Sequence, residues 1–407
     1  MTQISAPESQ GFDSRRLARI RPKMQTYVDT GNFSGITTLI ARRGKVVHFD
    51  HTGVRDKAGQ QPLDSSTIFR IYSMTKPVVC TALMTLYEEA RFHLSDPIAK
   101  YLPAFAKVKV WDGEAQPLVN PVRPILIRDL FTHTAGLTYN FLEDTPVSRM
   151  YLDAGLFSDS GASLESIITE LARLPLAYQP GSRWHYSMSI DVLAHLIEVL
   201  AGRPLQHVLR ERVFSPLGMS DTGFSVSAQN ASRVAAMYGH ADIATHQFTE
   251  IAASAVGPVD VSKTYPTDNT TTFARGGHGL FSTAADFLRF AQMLLNRGEL
   301  DGERIISPAI ADLMHSNHLP PNLMPYNIAI VAFPGYGFGL GSRVLLDPAA
   351  SGLPGSVGEF GWAGAANTYF WVDPKKELVG IFMTQHMIST EPAHRDFPLL
   401  TYQALMD

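Results

Sequence analysis

Apolar residues recur along the chain with two periods, one suited to helices and one to strands. Leu17, Ile20, Met24 and Val28 share one face of a helix predicted from Asp13 to Val28, closed by Gly31 and kinked at Pro22. Two β-rich runs follow, Gly35 to Ala41 and Lys45 to Phe49, joined through Arg42-Arg43-Gly44 as a hairpin. Helical spacing returns at Val78, Val79, Ala82, Leu83, Leu86 and Tyr87, which predicts a buried helix. Pro77 has no backbone N–H and is comfortable only in a first helical turn, so this helix starts close to Ser73.

From about residue 95 to residue 276 the texture changes. Strand signals thin out, and proline and glycine divide short helical stretches. The clearest helices are Ile167 to Leu174 and Ile190 to Leu200, the latter with Ile190, Leu193, Ala194, Ile197 and Leu200 as its stripe. Ala241 to Thr272 shows no period and receives no assignment. Beyond it, Ser282-Thr283 caps a helix with Phe287, Phe290, Met293 and Leu294 on its core face. Strand character returns at Tyr336 to Leu340. Thr368 to Val372 and Leu378 to Met383 then flank an Asp373-Pro374 turn as a second hairpin. The tail from Arg395 to Met406 reads as a last helix. These elements predict an α/β fold. Residues 1–94 and 277–407 share one antiparallel sheet flanked by helices, and residues 95–276 form a mostly helical inserted domain.

Composition narrows the function classes. A chain of 407 residues can bury a sizeable core. Its 45% hydrophobic content and formal charge of −4 describe a globular protein without the basic patch that nucleic acid requires. No apolar run approaches a membrane span, and the N-terminus lacks the charged and apolar regions of a signal peptide. No membrane partner and a cytoplasmic location are therefore expected. Cys80 is the single cysteine, so no internal disulfide forms, and its apolar helix face predicts packing rather than reactivity. With no His-Glu-x-x-His and no paired Cys-x-x-Cys, neither a metal nor a cofactor is expected.

The chemistry is concentrated in Ser73-Met74-Thr75-Lys76, the single Ser-x-x-Lys of the chain. Positions i and i+3 share a helix face, so the Ser73 hydroxyl and the Lys76 amine stand side by side at the positive end of the helix dipole. A serine hydroxyl is a poor nucleophile until a neighbour takes its proton, and a desolvated lysine can do so. The plainer reading is a capping serine followed by a surface lysine, and partners elsewhere decide between the two. Candidates are Trp184-His185-Tyr186-Ser187-Met188, just before the Ile190 helix, and Gly361-Trp362-Ala363-Gly364-Ala365, just before a strand. Taken singly, Tyr186 and Trp362 would read as packing residues.

Together these motifs resemble the serine β-lactamase and penicillin-binding protein superfamily. Within it, they resemble the class C β-lactamase-like esterases, or family VIII carboxylesterases. The resemblance runs through Ile127 to Leu137, Tyr178-Gln179-Pro180-Gly181, Ser215 to Met219, Gly277 to Thr283 and Gly358 to Trp362. It implies a β-lactamase/transpeptidase-like fold. It also implies that Ser73 is the acylated nucleophile, Lys76 its activator, and Tyr186 the tyrosine that shares proton transfer. Trp362-Ala363-Gly364 occupies the place of Lys-Thr-Gly. By the same resemblance, the backbone N–H of Ala365 joins that of Ser73 in an oxyanion hole, and Gly364 permits close approach of the backbone to the substrate.

Two departures shape the expected substrate. Met188 stands where the family usually has asparagine, which removes an amide from the substrate side. Trp362 replaces the lysine that would meet a substrate carboxylate and offers an apolar wall. The resemblance thus implies a serine carboxylesterase acting on short-chain, neutral esters, with a small-molecule ester as its partner. Ala363 and His185 are counted with Trp362, Gly364 and Met188 as substrate contacts, whereas His133 is expected to be structural. Ser163 lacks the second glycine of a nucleophile elbow. An acyltransferase of the same fold is the alternative. A weak β-lactamase or a penicillin-recognising scaffold is less favoured, and the oligomeric state is not legible.

Overall fold

The computed structural model describes residues 3–111, 113, 118–142, 145–157, 162–239, 259–264, 267, 274–389 and 391–407. The unassigned stretch from Ala241 to Thr272 falls largely outside them. Helix α1 (Ile20–Asp29) leads into strands β1 (Gly35–Arg42), β2 (Lys45–Asp56) and β3 (Gln61–Pro62), then into helix α2 (Thr75–Glu88). The middle of the chain contributes α3 (Ser189–Ala201) and shorter helices, followed by α4 (Ala284–Leu295). A small hairpin of β4 (Tyr326–Ile328) and β5 (Val331–Phe333) comes next. The chain ends with β6 (Tyr336–Phe338), β7 (Arg343–Leu345), β8 (Phe360–Ala363), β9 (Tyr369–Asp373), β10 (Leu378–Thr384) and helix α5 (Ala393–Tyr402).

Eight of these strands form one antiparallel sheet in the order β6-β7-β8-β9-β10-β1-β2-β3. Strand β1 joins the two ends of the chain, pairing with β10 from Ile36↔Thr384 to Arg42↔Leu378 and with β2 on its other edge. Every residue of β1 is buried because both sheet faces are covered. Successive side chains of a strand point to opposite faces. Ile36 and Ile40 accordingly join Met24, Trp371, Phe382 and Phe397 in the core under α1 and α5. Leu39 and Ala41 join Val79, Leu83, Phe287 and Ile381 in the core of α2 and α4. Trp371 lies across Gly380, its cross-strand partner, where a Cβ would stand 2.1 Å from the indole.

Several boundaries differ from the sequence expectation. The first helix is broken rather than kinked: Ser14–Leu17, capped by the Asp13 carboxylate, is separate from α1. Pro22 lies in the first turn of α1, where its missing N–H leaves no bond unmade. Strand β2 runs on to Asp56, and the Tyr336 strand stops at Phe338. The Gly361 to Ala365 motif does precede a strand, β9, and its first part is also a strand, β8, which its glycine and alanine hide from the sequence. The last helix lies earlier than expected, from Ala393 to Tyr402.

Burial keeps several imidazoles neutral. His48, His315 and His394 are each pushed down to about 4, and His133 and His278 are also lowered well below the ordinary histidine value. Below the ordinary histidine pKa the unfolded chain binds protons at these positions while the folded chain does not, so stability falls as pH falls. A shift as large as that of His48 corresponds to about 3 kcal/mol. Glu359, raised to about 7 mainly by burial, works the opposite way in part of the same window, as do Asp191 and Asp286, so three raised carboxyls stand against seven lowered imidazoles once His51 and His318 are included. The urea midpoint should therefore drop from about pH 7 to about pH 4.5. A midpoint that stays level or rises on acidification would refute this account.

Candidate active site

Ser73 sits in a 3₁₀ turn, Tyr72–Met74, that runs directly into α2. Tyr72 takes a left-handed backbone, φ 44°, which is unfavourable for an aromatic residue and turns the chain sharply before the serine. Ser73 is half-buried, whereas Lys76 one turn later is only 1% exposed. The Lys76 ammonium donates to Ser73 Oγ at 3.1 Å and to the Gly277 carbonyl at 2.7 Å. Its remaining surroundings are ring faces, with Nζ 4.5 Å from the Tyr186 centroid and 5.3 Å from that of Tyr139.

Tyr186 approaches from the segment before α3, and its hydroxyl donates to Ser73 Oγ at 2.7 Å. Its ring is wedged between parallel Trp184, 6.2 Å away, and His133, 4.9 Å away. His133 is buried, and desolvation together with the nearby Lys76 charge keeps its imidazole neutral. Strand β8 closes the third side. Trp362 Nε1 donates to the Tyr186 hydroxyl at 3.5 Å, and its ring packs edge-on against Phe338.

Gly364 brings the end of β8 up to the nucleophile. A Cβ there would stand 2.4 Å from the Ile71 carbonyl oxygen and 2.3 Å from Thr368 Oγ1. Thr368 Oγ1 itself donates to that carbonyl at 3.2 Å, fastening the strand end to the segment before Ser73. Ser73, Ala363, Gly364 and Ala365 then line one cavity of about 270 Å³. Among the described residues, the backbone N–H groups of Ser73 and Ala365 donate to no other protein group.

The cavity wall is largely apolar, built from Tyr139, Phe141, Leu142, Phe157, Ile328, Phe333 and Trp362. Arg343 also lines it; its guanidinium donates through Nη2 to Glu359 at 3.1 Å and to the Tyr369 hydroxyl, while Nη1 is buried with no hydrogen-bond partner among the described residues. His185 and Met188 are not among the lining residues. His185 Nε2 lies 2.9 Å from Thr138 Oγ1 and its ring packs edge-on against Tyr178, while buried Met188 caps the start of α3. With Tyr186 directed at Ser73, its neighbour in the chain turns the other way.

Sequence reasoning missed the support behind Lys76. Asp191, buried on α3, accepts from the Gly277 N–H at 3.0 Å, and the carbonyl of that same glycine accepts from Lys76. Burial pushes the Asp191 carboxyl above its ordinary range, against the opposing pull of the Lys76 ammonium. A carboxylate within Ile190-Asp191-Val192-Leu193 was the available signal. Tyr139 was missed as well, since nothing local marks an aromatic residue as a cavity wall. Among the described residues no cluster of His, Cys, Asp or Glu could hold a metal ion, and no helix is long and apolar enough to cross a membrane. Cys80 is buried beneath Gly341, and burial pushes its thiol up.

Comparison with known proteins adds an independent line. The family model described as Beta-lactamase matches residues 20–405. An uncharacterized protein of Mycobacterium tuberculosis is 38% identical over 365 residues, covering 88% of this chain and 87% of that one. Esterase EstB of Burkholderia gladioli is 30% identical over 365 residues, covering 86% of this chain and 85% of that one. Among solved structures, EstCE1, a hydrolase with promiscuous acyltransferase activity, is similar with a TM-score of 0.79 and 28% sequence identity. That match covers 97% of this chain and 99% of that chain.

Gly364→Ala should destabilise the protein by about 1–3 kcal/mol, since the added methyl meets a backbone oxygen that cannot move aside. Ala363→Ser, one residue earlier on an exposed position, should be nearly neutral. Urea unfolding of both variants checks this, and equal stability of the two would show that the close approach carries no energetic weight.

Proposed function

Because the chain belongs to the Beta-lactamase family and has its β-lactamase/transpeptidase-like fold, we propose that it is a serine carboxylesterase working through an acyl-enzyme on Ser73. Its substrates are neutral, short-chain carboxylic esters. The observation that carries this reading is the convergence on Ser73 Oγ of the Lys76 ammonium at 3.1 Å and the Tyr186 hydroxyl at 2.7 Å. A serine with two proton-handling groups in contact can lose its proton as it attacks.

In the first half-reaction Ser73 Oγ bonds to the ester carbonyl carbon and its proton passes to the Lys76–Tyr186 pair. The pair starts from the state holding one proton fewer than ammonium plus phenol, with Lys76 as the free amine or Tyr186 as the phenolate. The carbonyl oxygen becomes an oxyanion, which the N–H groups of Ser73 and Ala365 stabilise. Collapse of this intermediate breaks the bond to the alcohol oxygen, and the pair returns the proton to the departing alcohol. In the second half-reaction water attacks the acyl carbon, gives its proton to the same pair, and frees Ser73 and the carboxylic acid. Asp191 acts through Gly277: it holds the peptide whose carbonyl orients Lys76 and provides a negative charge near the ammonium.

The apolar wall and the pairing of Arg343 with Glu359 support a neutral substrate, because the wall carries no charge and the arginine that lines the cavity is already engaged by a carboxylate. A second reading, acyl transfer to an alcohol, is favoured by the similarity to EstCE1, and the same acyl-enzyme would serve both outcomes.

Ser73→Ala should lower the turnover of p-nitrophenyl butyrate by about a thousandfold or more, and Tyr186→Phe by about a hundredfold or more. Intact-mass measurement during wild-type turnover should find any trapped butyryl group on the peptide containing Ser73. Substantial hydrolysis by Ser73→Ala, or an acyl group located elsewhere, would overturn the proposal. Added alcohols separate the two readings, since a transferase yields mostly new ester.

A further inference from the structure

The hairpin β4–β5 carries an unbroken apolar tip, Ile328-Ala329-Ile330-Val331-Ala332-Phe333. Two-residue hairpin turns favour glycine, asparagine or aspartate, which accept left-handed backbone and face water readily. Here Ala329 takes φ 50°, and Ile330 and Val331 beside it are 86% and 50% exposed. Other exposed large apolar residues among those described, such as Val122 and Val199, stand singly along the chain and need no explanation.

The stability of the hairpin does not require this tip. Its root is already anchored: Tyr326 stacks on Phe333 with ring centroids 5.3 Å apart and packs at a tilt against Trp184 at 4.2 Å. Trp184 in turn stacks on Tyr186, so the hairpin rises from the aromatic cluster that walls the nucleophile. The register shows where the tip leads. Ile328 lies opposite Val331, and Tyr326 opposite Phe333, so these four side chains share one face. Ile328 and Phe333 line the cavity. Val331, on the same face, continues that apolar wall outward, and Ile330 extends it at the turn.

We infer that the β4–β5 hairpin is a substrate subsite that receives the longer apolar group of the ester. A medium-length alkyl or aryl chain leaves the cavity at Ile328 and lies along Val331 and Ile330, which it shields from water. This inference rests on the esterase reading and narrows its substrate class from esters short on both sides to esters with one short group enclosed in the cavity and one longer apolar group on the hairpin. The chemistry of the contact is the same whether the longer group belongs to the acid or to the alcohol.

The test compares wild type with the double variant Ile330→Ser/Val331→Ser. Values of kcat/KM are measured for p-nitrophenyl acetate and octanoate, and for methyl and octyl butyrate. In the variant, the octanoate-to-acetate ratio or the octyl-to-methyl ratio should fall about tenfold, mainly through KM. Which ratio falls identifies the side of the ester that lies on the hairpin. If both ratios keep their wild-type values, the inference is wrong. If sedimentation shows the variant losing a self-associated state while both ratios stand, the tip is a contact between copies of the chain, and the inference again fails. Ser73→Ala separates the two levels. Activity retained there removes the esterase reading itself, whereas an inactive Ser73→Ala with unchanged ratios removes only the hairpin subsite.

Discussion

A lysine ammonium taken out of water must be matched by carbonyls, hydroxyls, ring faces or negative charge, or it cannot stay charged. Lys76 is such a group, and the centre of the molecule is arranged to match it. The Gly277 carbonyl and Ser73 Oγ accept from it directly, and the faces of Tyr186 and Tyr139 take up the rest of its surface. Asp191 completes the arrangement from behind by holding the Gly277 peptide. The partners come from four separate parts of the chain, around Ser73, Tyr139, Tyr186 to Asp191, and Gly277. The buried charge therefore ties α2, the segment before α3, and the glycine-rich run before α4 into one unit. A displacement of any of them would leave an uncompensated cation in the core.

The same economy of space governs strand β8. The guanidinium of Arg343 lies over Gly361, where a Cβ would come within 2.9 Å of Nη1, and the strand end meets the Ile71 carbonyl at Gly364. Between these two glycines, Trp362 faces Tyr186 and Phe338. The glycines set the approach of the strand, and the tryptophan sets the polarity of what it approaches. An aromatic wall at this position, beside an arginine already paired to Glu359, makes the lining of the cavity largely apolar.

Much of this was legible in particular residues. The period of Val78, Val79, Ala82 and Leu83, with Pro77 at its start, marked both the position of α2 and the face shared by Ser73 and Lys76. Leu39 and Ile381 read correctly as strand residues because a sheet buried on both faces selects β-branched and aliphatic side chains. Pro22 was read as a kink and proved to be a helix start, a difference of a few residues that local sequence does not resolve. The β8 motif was correctly placed before strand β9, but its own strand went unread because glycine and alanine carry little strand preference. Asp191 and Tyr139 went unnoticed because each is ordinary in its own segment and gains its role from what folds against it. His185 was grouped with the substrate contacts through its neighbour Tyr186, yet it bonds to Thr138 away from the cavity lining.

The sequence by itself determined what depends on neighbours a few residues apart: the helix that carries Ser73, the spacing that aligns Lys76 with it, the strands of the two hairpins, and the motifs that mark the family. Backbone periodicity and side-chain sterics act over that range and leave their mark in the order of residues. Tertiary structure alone decided which distant groups meet. It set Tyr186 against Ser73 across a separation of 113 residues, Gly277 against Lys76 across 201, and the strand after Trp362 against Ile71 across 297. Such contacts follow from how the sheet closes and how the core packs, because burial rewards any apolar partner of the right shape. The chemistry of a contact becomes specific only when the fold has brought both of its sides together.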